Sequence, residues 1–160
     1  MKKRFFNRHG GWSNRAKSKE FRSGLEETIA EELKNAGVDY DYEKYVVHYE
    51  TPPKAHRYTP DFVLANGIII ETKGVFDSDD RKKHLLVKKQ HPNLDIRFVF
   101  NNPRQRLYKG SKTTYAMWCQ KNGFKYAKET IPISWLKERK KKLPKKDIQR
   151  RKAGEKSGKD

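Results

Sequence analysis

Apolar positions first fall into step at Leu25, Ile29, Leu33 and Ala36, a spacing that predicts an amphipathic helix over residues 23–36. Ser23-Gly24-Leu25-Glu26 matches the S-x-x-E capping box at its start, and Gly37 supplies the stop. The period then drops to two. Val38, Tyr40 and Tyr42 alternate with Asp39, Asp41 and Glu43, and residues 45–49 continue extended, which predicts one strand reaching about Glu50. Thr51-Pro52-Pro53-Lys54 ends it, because a proline has no N–H to give to a ladder and a pair of them makes a stiff, extended connector. This is the best-placed internal hinge in the chain.

Further on, Phe62-Val63-Leu64 and residues 68–72 flank Ala65-Asn66-Gly67, and Asn-Gly between two apolar runs predicts an antiparallel hairpin. Ser78 or Asp79 is placed to cap a helix running to about Gln90, with Leu85, Leu86 and Val87 as its apolar patch and His91-Pro92 as its end. Residues 95–100 read as another strand, so a parallel crossover through that helix is expected. A polar loop over 101–111, a helix over 113–121 with Tyr115 and Trp118 as core residues, Gly123 as its terminator, a strand over 124–127 and a helical turn over 133–137 complete an α/β body built on a mixed sheet.

Charge alters this picture at the two ends. The net charge is +18, yet residues 1–19 hold seven basic side chains and no acid, and residues 136–160 hold twelve basic against four acidic, which leaves only +3 for residues 20–135. A nearly neutral body between basic tails suits a polyanion such as nucleic acid, where phosphate contacts release counterions; solubilising tails are the plainer account. The organisation expected is a basic arm over 1–20, a body over 21–138 and a basic tail over 139–160. No apolar run is long enough to span a bilayer, so a soluble protein is expected. Cys119 is the single cysteine, and His9, His48, His56, His84 and His91 show no zinc spacing and read as surface or partner-contacting residues.

The candidate chemistry lies in the hairpin. Pro60-Asp61 is followed after nine residues by Glu71-Thr72-Lys73, which places charge at the end of the apolar run Ile68-Ile69-Ile70. On a strand Glu71 and Lys73 share a face, roughly 7 Å apart, and the pairing brings Asp61 beside them. Two carboxylates on adjacent strands suit a hard divalent cation, with a lysine to orient or deprotonate water or to offset phosphate charge, as phosphodiester hydrolysis requires. Singly, each residue has a simpler account: Asp61 as a turn residue, Glu71 and Lys73 as gatekeepers at a strand end, Glu26 as half of the capping box.

Phe21-Arg22-Ser23-Gly24-Leu25-Glu26, Tyr58-Thr59-Pro60-Asp61-Phe62, Glu71-Thr72-Lys73-Gly74, His91-Pro92 and Leu107-Tyr108-Lys109-Gly110-Ser111 carry a wider likeness. Over residues 21–138 the chain resembles the phage endonuclease I family, junction-resolving nucleases of short-tailed phages. The resemblance implies a restriction-endonuclease-like PD-(D/E)xK fold in a homodimer that exchanges residues 21–49 across a bridge at 50–56, with 57–138 as the rest of the core. It further implies Asp61, Glu71 and the main-chain carbonyl of Thr72 as metal ligands, Lys73 as the catalytic lysine, Glu26 acting in the partner's site, and two Mg²⁺ or Mn²⁺ ions. The activity implied is cleavage of four-way DNA junctions, in the host cytoplasm if phage-encoded. A nuclease or nickase of ordinary duplex, or a non-catalytic branched-DNA-binding protein of the same fold, are the rivals. Arg22, Lys54, Arg57, Arg81, Lys82, Lys109 and Lys112, with the basic tails, are the candidate DNA contacts.

Overall fold

The computed structural model describes residues 21–51 and 54–156; the arm over 1–20 and the Pro52-Pro53 pair lie outside the described residues. Helix α1 (Gly24–Asn35) begins where its motif predicts, with Ser23 Oγ accepting the Glu26 N–H at 3.2 Å. Glu26 Oε2 also accepts from the N–H of Arg22, at 2.7 Å.

The extended run after α1 is two strands, not the single one its alternation predicts. Glu43 takes a positive φ of 49°, and this break between β1 (Tyr40–Tyr42) and β2 (Tyr45–Thr51) sends them to different sheets. Strand β3 (Lys54–Tyr58) pairs antiparallel with β2 from Thr51 opposite Lys54 to Val47 opposite Tyr58. Of the expected bridge at 50–56, Glu50 and Thr51 end β2 and Lys54 to His56 begin β3. The Asn66-Gly67 hairpin forms as predicted: β4 (Phe62–Leu64) lies antiparallel to β5 (Ile69–Lys73), with Phe62 opposite Ile70 and Gly67 at φ 88°.

Helix α2 (Ser78–Gln90) then leads to β6 (Ile96–Phe100), parallel to β5 as the crossover predicts. Its cap is Asp77 rather than Ser78 or Asp79; the Asp77 carboxylate accepts the N–H groups of Asp79 and Asp80. Helix α3 (Tyr115–Asn122) is capped by Thr114 and ended by Gly123 at φ 68°, and Tyr115 and Trp118 are core residues. Strand β7 (Lys125–Lys128) lies parallel to β6, and α4 (Ile133–Leu136) follows. The main sheet thus runs β1-β4-β5-β6-β7, mixed, with helices on both faces.

Period-two alternation sorts these strands between two cores. Phe62, Leu64, Ile70 and Val99 pack with Ile29 and Leu33 of α1 and with Trp135, while Val63, Ile69, Phe98 and Phe100 pack with Val87 of α2, Trp118 of α3 and the β2–β3 hairpin. Glu71 follows Ile69 and so enters the second core.

Residues 139–156 depart from the expectation of a basic tail. They form a strap across the body: Lys141 N–H donates to the Asn66 carbonyl at 2.9 Å, Ile148 is buried in the second core, and β8 (Gln149–Arg150) pairs with Tyr45 and Val46 of β2. Asn66 also donates from Nδ2 to the Trp135 carbonyl, and a side chain at Gly67 would meet the Lys141 carbonyl at 2.5 Å. Hairpin turn and strap are fitted to each other without room for a Cβ.

Beneath the strap lies Arg97, fully buried. Its Nε and Nη2 donate to Asp95 (2.8 and 2.7 Å), its Nη1 and Nη2 to Glu138 (both 2.7 Å), and its guanidinium lies 5.0 Å from the Trp135 ring centre. The guanidinium hydrogen bonds draw the Glu138 pKa down to about 2.

Candidate active site

Strand β5 carries its charge into the interior. Asp61 is fully buried and Glu71 is 1% exposed, a setting in which a carboxylate needs partners. Asp61 Oδ2 accepts both the backbone N–H and the hydroxyl of Thr72, each at 2.8 Å, which pins the residue just before β4 to the middle of the E-x-K motif. The hairpin register makes this possible, since Phe62 pairs with Ile70.

Glu71 is held from three directions. Tyr58 donates its hydroxyl to Oε2 at 2.8 Å, Lys73 Nζ lies 3.1 Å from Oε1, and His84 Nε2 approaches the same oxygen at 3.9 Å. Lys73 also reaches Asp80 Oδ1 at 3.0 Å, and Lys83 meets that oxygen at the same distance. Asp80 sits in the first turn of α2, where the helix dipole favours a negative charge. Asp61, Glu71, Thr72 and Lys73 are thus gathered as the spacing predicts.

Electrostatics follow from that crowding. Burial by itself would favour a neutral Lys73, but the charges of Glu71, Asp80 and Asp61 outweigh it and raise the pKa. Burial works against the charged form of Asp80, yet Lys73 and Lys83 hold its pKa below the usual carboxylate range. Tyr58 is driven well above its ordinary value by burial and then by Glu71, so its hydroxyl stays a donor. Burial lowers His84 to about 4. The His84 Nδ1 lies 2.8 Å from the Asp80 carbonyl oxygen, which can only accept; Nδ1 therefore carries the proton and Nε2 presents a lone pair. Its approach to Glu71 is accordingly not an ion pair.

Glu26 stands apart from this group. It is buried on α1, and besides Arg22 its Oε2 takes the Tyr42 hydroxyl at 2.7 Å. Tyr42 packs against Phe62 with ring centres 5.1 Å apart, and Glu43 N–H donates to the Asp61 carbonyl. Glu26 is therefore linked to the Asp61 end of β4 through β1. Among the described residues no three His, Cys, Asp or Glu side chains converge closely enough to hold an ion by themselves. Asp61 and Glu71 nonetheless supply the donor chemistry that Mg²⁺ takes, one or two carboxylates completed by water and phosphate oxygens.

The predicted DNA contacts divide. Lys54, Lys109 and Lys112 are exposed, and Lys82 is exposed with Asp79 at 3.8 Å. Arg22 pairs with Glu43 at 3.1 Å, Arg81 donates to the Phe76 carbonyl at 2.6 Å, and Arg57 is engaged by Glu155 and the Lys156 carbonyl of the strap. The last two are structural contacts in this chain.

Sequence reasoning missed Tyr58, Asp80, Lys83 and His84. His84 is fully buried rather than a surface residue, because the inner face of α2 follows Asp80, His84 and Val87 at helical spacing; of the predicted apolar patch, Val87 is buried and Leu86 packs against the core, while Leu85 is exposed. That i, i+4, i+7 row was a readable signal.

A family model described as phage endonuclease I matches residues 9–156 of the chain. The chain is 52% identical over 136 residues to "Endonuclease I" of Escherichia phage T7, covering 85% of this chain and 91% of that protein. It is 51% identical over 138 residues to "Endodeoxyribonuclease 1" of Enterobacteria phage T3, covering 86% and 91%.

Proposed function

Because the chain belongs to the phage endonuclease I family and is a DNA-hydrolysing enzyme, we propose that it is a divalent-metal-dependent endonuclease selective for four-way junctions and other branched DNA, resolving them by paired nicks. The observation that carries this reading is the pair of buried carboxylates, Asp61 and Glu71, gathered with half-buried Lys73 at the paired ends of β4 and β5.

Asp61, Glu71 and the Thr72 carbonyl would hold two Mg²⁺ or Mn²⁺ ions. Bound there, the metal supplies Lewis acidity and a more acidic water. The chain's own residues do the positioning. The Thr72 N–H and hydroxyl fix the Asp61 carboxylate, and Tyr58 with Lys73 fixes that of Glu71. Lys73 brings a positive charge to the phosphate, and Asp80 keeps that ammonium oriented. Cleavage of an immobile four-way junction against matched linear duplex, with Mg²⁺ and with EDTA, is the test. Junction cutting at least about 100-fold faster than duplex cutting and lost in EDTA is expected; equal rates would make it an ordinary duplex nuclease, and cleavage surviving in EDTA would remove the metal.

A homodimer exchanging residues 21–49 belongs to the same proposal. It is supported by the link from Glu26 through Tyr42 and Glu43 to the Asp61 end of β4, which places a carboxylate of the N-terminal elements next to the candidate site. Mixing Glu26→Ala with Asp61→Asn subunits then yields heterodimers with one doubly damaged and one intact site. Each heterodimer should nick junction DNA at roughly half of the wild-type rate, and a random equal mixture at about a quarter; confirmed heterodimers that stay inactive would place Glu26 in its own chain's site.

A further inference from the structure

The segment from Asn101 to Thr114 holds Arg104, Arg106, Lys109 and Lys112 and no acid. It departs from the end of β6 beside the candidate site: Asn101 N–H donates to the Lys73 carbonyl at 3.3 Å, and Tyr115, on the helix that follows, accepts with its hydroxyl oxygen the N–H of Phe76, three residues past Lys73. The segment is tightly built. Leu107 N–H bonds to the Thr113 carbonyl, Ser111 N–H to the Tyr108 carbonyl, Ser111 Oγ to the Thr113 carbonyl, and Gly110 at φ 88° occupies the turn position where only glycine is unstrained.

That framework holds a large aromatic in water. Tyr108 is 66% exposed at the start of the turn, while Arg104, Arg106, Lys109 and Lys112 around it are exposed as well. The other aromatics of this region, Tyr115 and Trp118, are in the core. Holding a tyrosine ring in solvent on an ordered loop gains nothing for the fold. A flat apolar face ringed by cations is instead the arrangement that grips nucleic acid, with the cations on phosphates and the ring against a base.

We propose that Tyr108 stacks on a base face exposed at the branch point of the DNA substrate, while Arg106, Lys109 and Lys112 hold the flanking phosphates. A continuous duplex offers no such face, since its bases are stacked on one another, whereas a strand-exchange point, flap or bulge does. Tyr108 is thus a specificity-determining contact that separates branched from linear DNA. This rests on the junction-selective reading above and adds the residue that performs the selection.

Binding is measured at low and moderate salt, in a Lys73→Ala background that blocks cutting, with an immobile four-way junction and with matched duplex. Tyr108→Ala should weaken junction binding roughly 10-fold and leave duplex binding within about 2-fold, and Tyr108→Phe should bind as the parent does. Lys109→Ala should weaken both DNAs alike and reduce the salt dependence. A 2-aminopurine at the branch point should be quenched by the parent and not by Tyr108→Ala. Parent preference for the junction that persists unchanged in Tyr108→Ala overturns this inference alone. Equal loss on both DNAs also overturns it, making Tyr108 a general contact. A parent without junction preference overturns the junction reading and this inference together.

Discussion

Asp61→Asn is expected to abolish DNA cleavage, with a loss of at least about 1,000-fold, since a divalent ion contributes several kcal/mol of charge stabilisation in phosphodiester chemistry. The substitution is chosen to separate charge from structure. Asparagine keeps one side-chain oxygen to accept the Thr72 N–H and hydroxyl, so the β4–β5 pairing has its lock, while the negative charge is gone. The protein should therefore remain folded, with its melting temperature lowered by no more than a few degrees, and should bind junction DNA as tightly as before. Cleavage above about one tenth of the wild-type rate would mean that the carboxylate is structural and the chemistry lies elsewhere. Lys73→Ala should be equally inactive, but it leaves Glu71 and Asp80 facing each other without the ammonium between them, so it should also lower stability.

Arg97→Ala carries the largest expected effect on stability. Four charge-assisted hydrogen bonds and the contact with Trp135 depend on one fully buried guanidinium. Removing one member of a buried ionic cluster costs about 3–5 kcal/mol, and Asp95 and Glu138 keep some access to water, which favours the lower end. A fall of about 3 kcal/mol, or roughly 10 °C in melting temperature, is expected. Arg97→Lys should recover only part, because an ammonium cannot form two bidentate pairs. A melting temperature within 2 °C of wild type in Arg97→Ala, by calorimetry at neutral pH, would dissolve this account.

The parts of the fold written in local signals could be read directly. Ser23 before an apolar period, Asn66-Gly67 between two apolar runs and Gly123 after Trp118 each act within a few residues, and each is found in its predicted role. The break at Glu43 had no such signal, since nothing in its type favours a positive φ; its reason is the tertiary bond from its N–H to Asp61. The strap was hidden by composition. Its lysines read as a solvated tail, and Ile148 and the two-residue β8 are too sparse to make a period. The site divided along the same line. Asp61, Glu71 and Lys73 lie on one hairpin, so spacing alone joins them, whereas Asp80, Lys83 and His84 arrive on a helix whose docking angle is set by the whole crossover.

The strap also imposes an order of assembly. A growing chain makes its N-terminal side first, so β4, β5 and the turn between them exist before residues 135–156 that clasp that turn and pair with β2. Until those residues emerge, the hairpin bearing both buried carboxylates lacks the contacts at Asn66 and Gly67 that fix its turn. A nascent chain would thus carry the nuclease residues some time before it could hold them in working geometry.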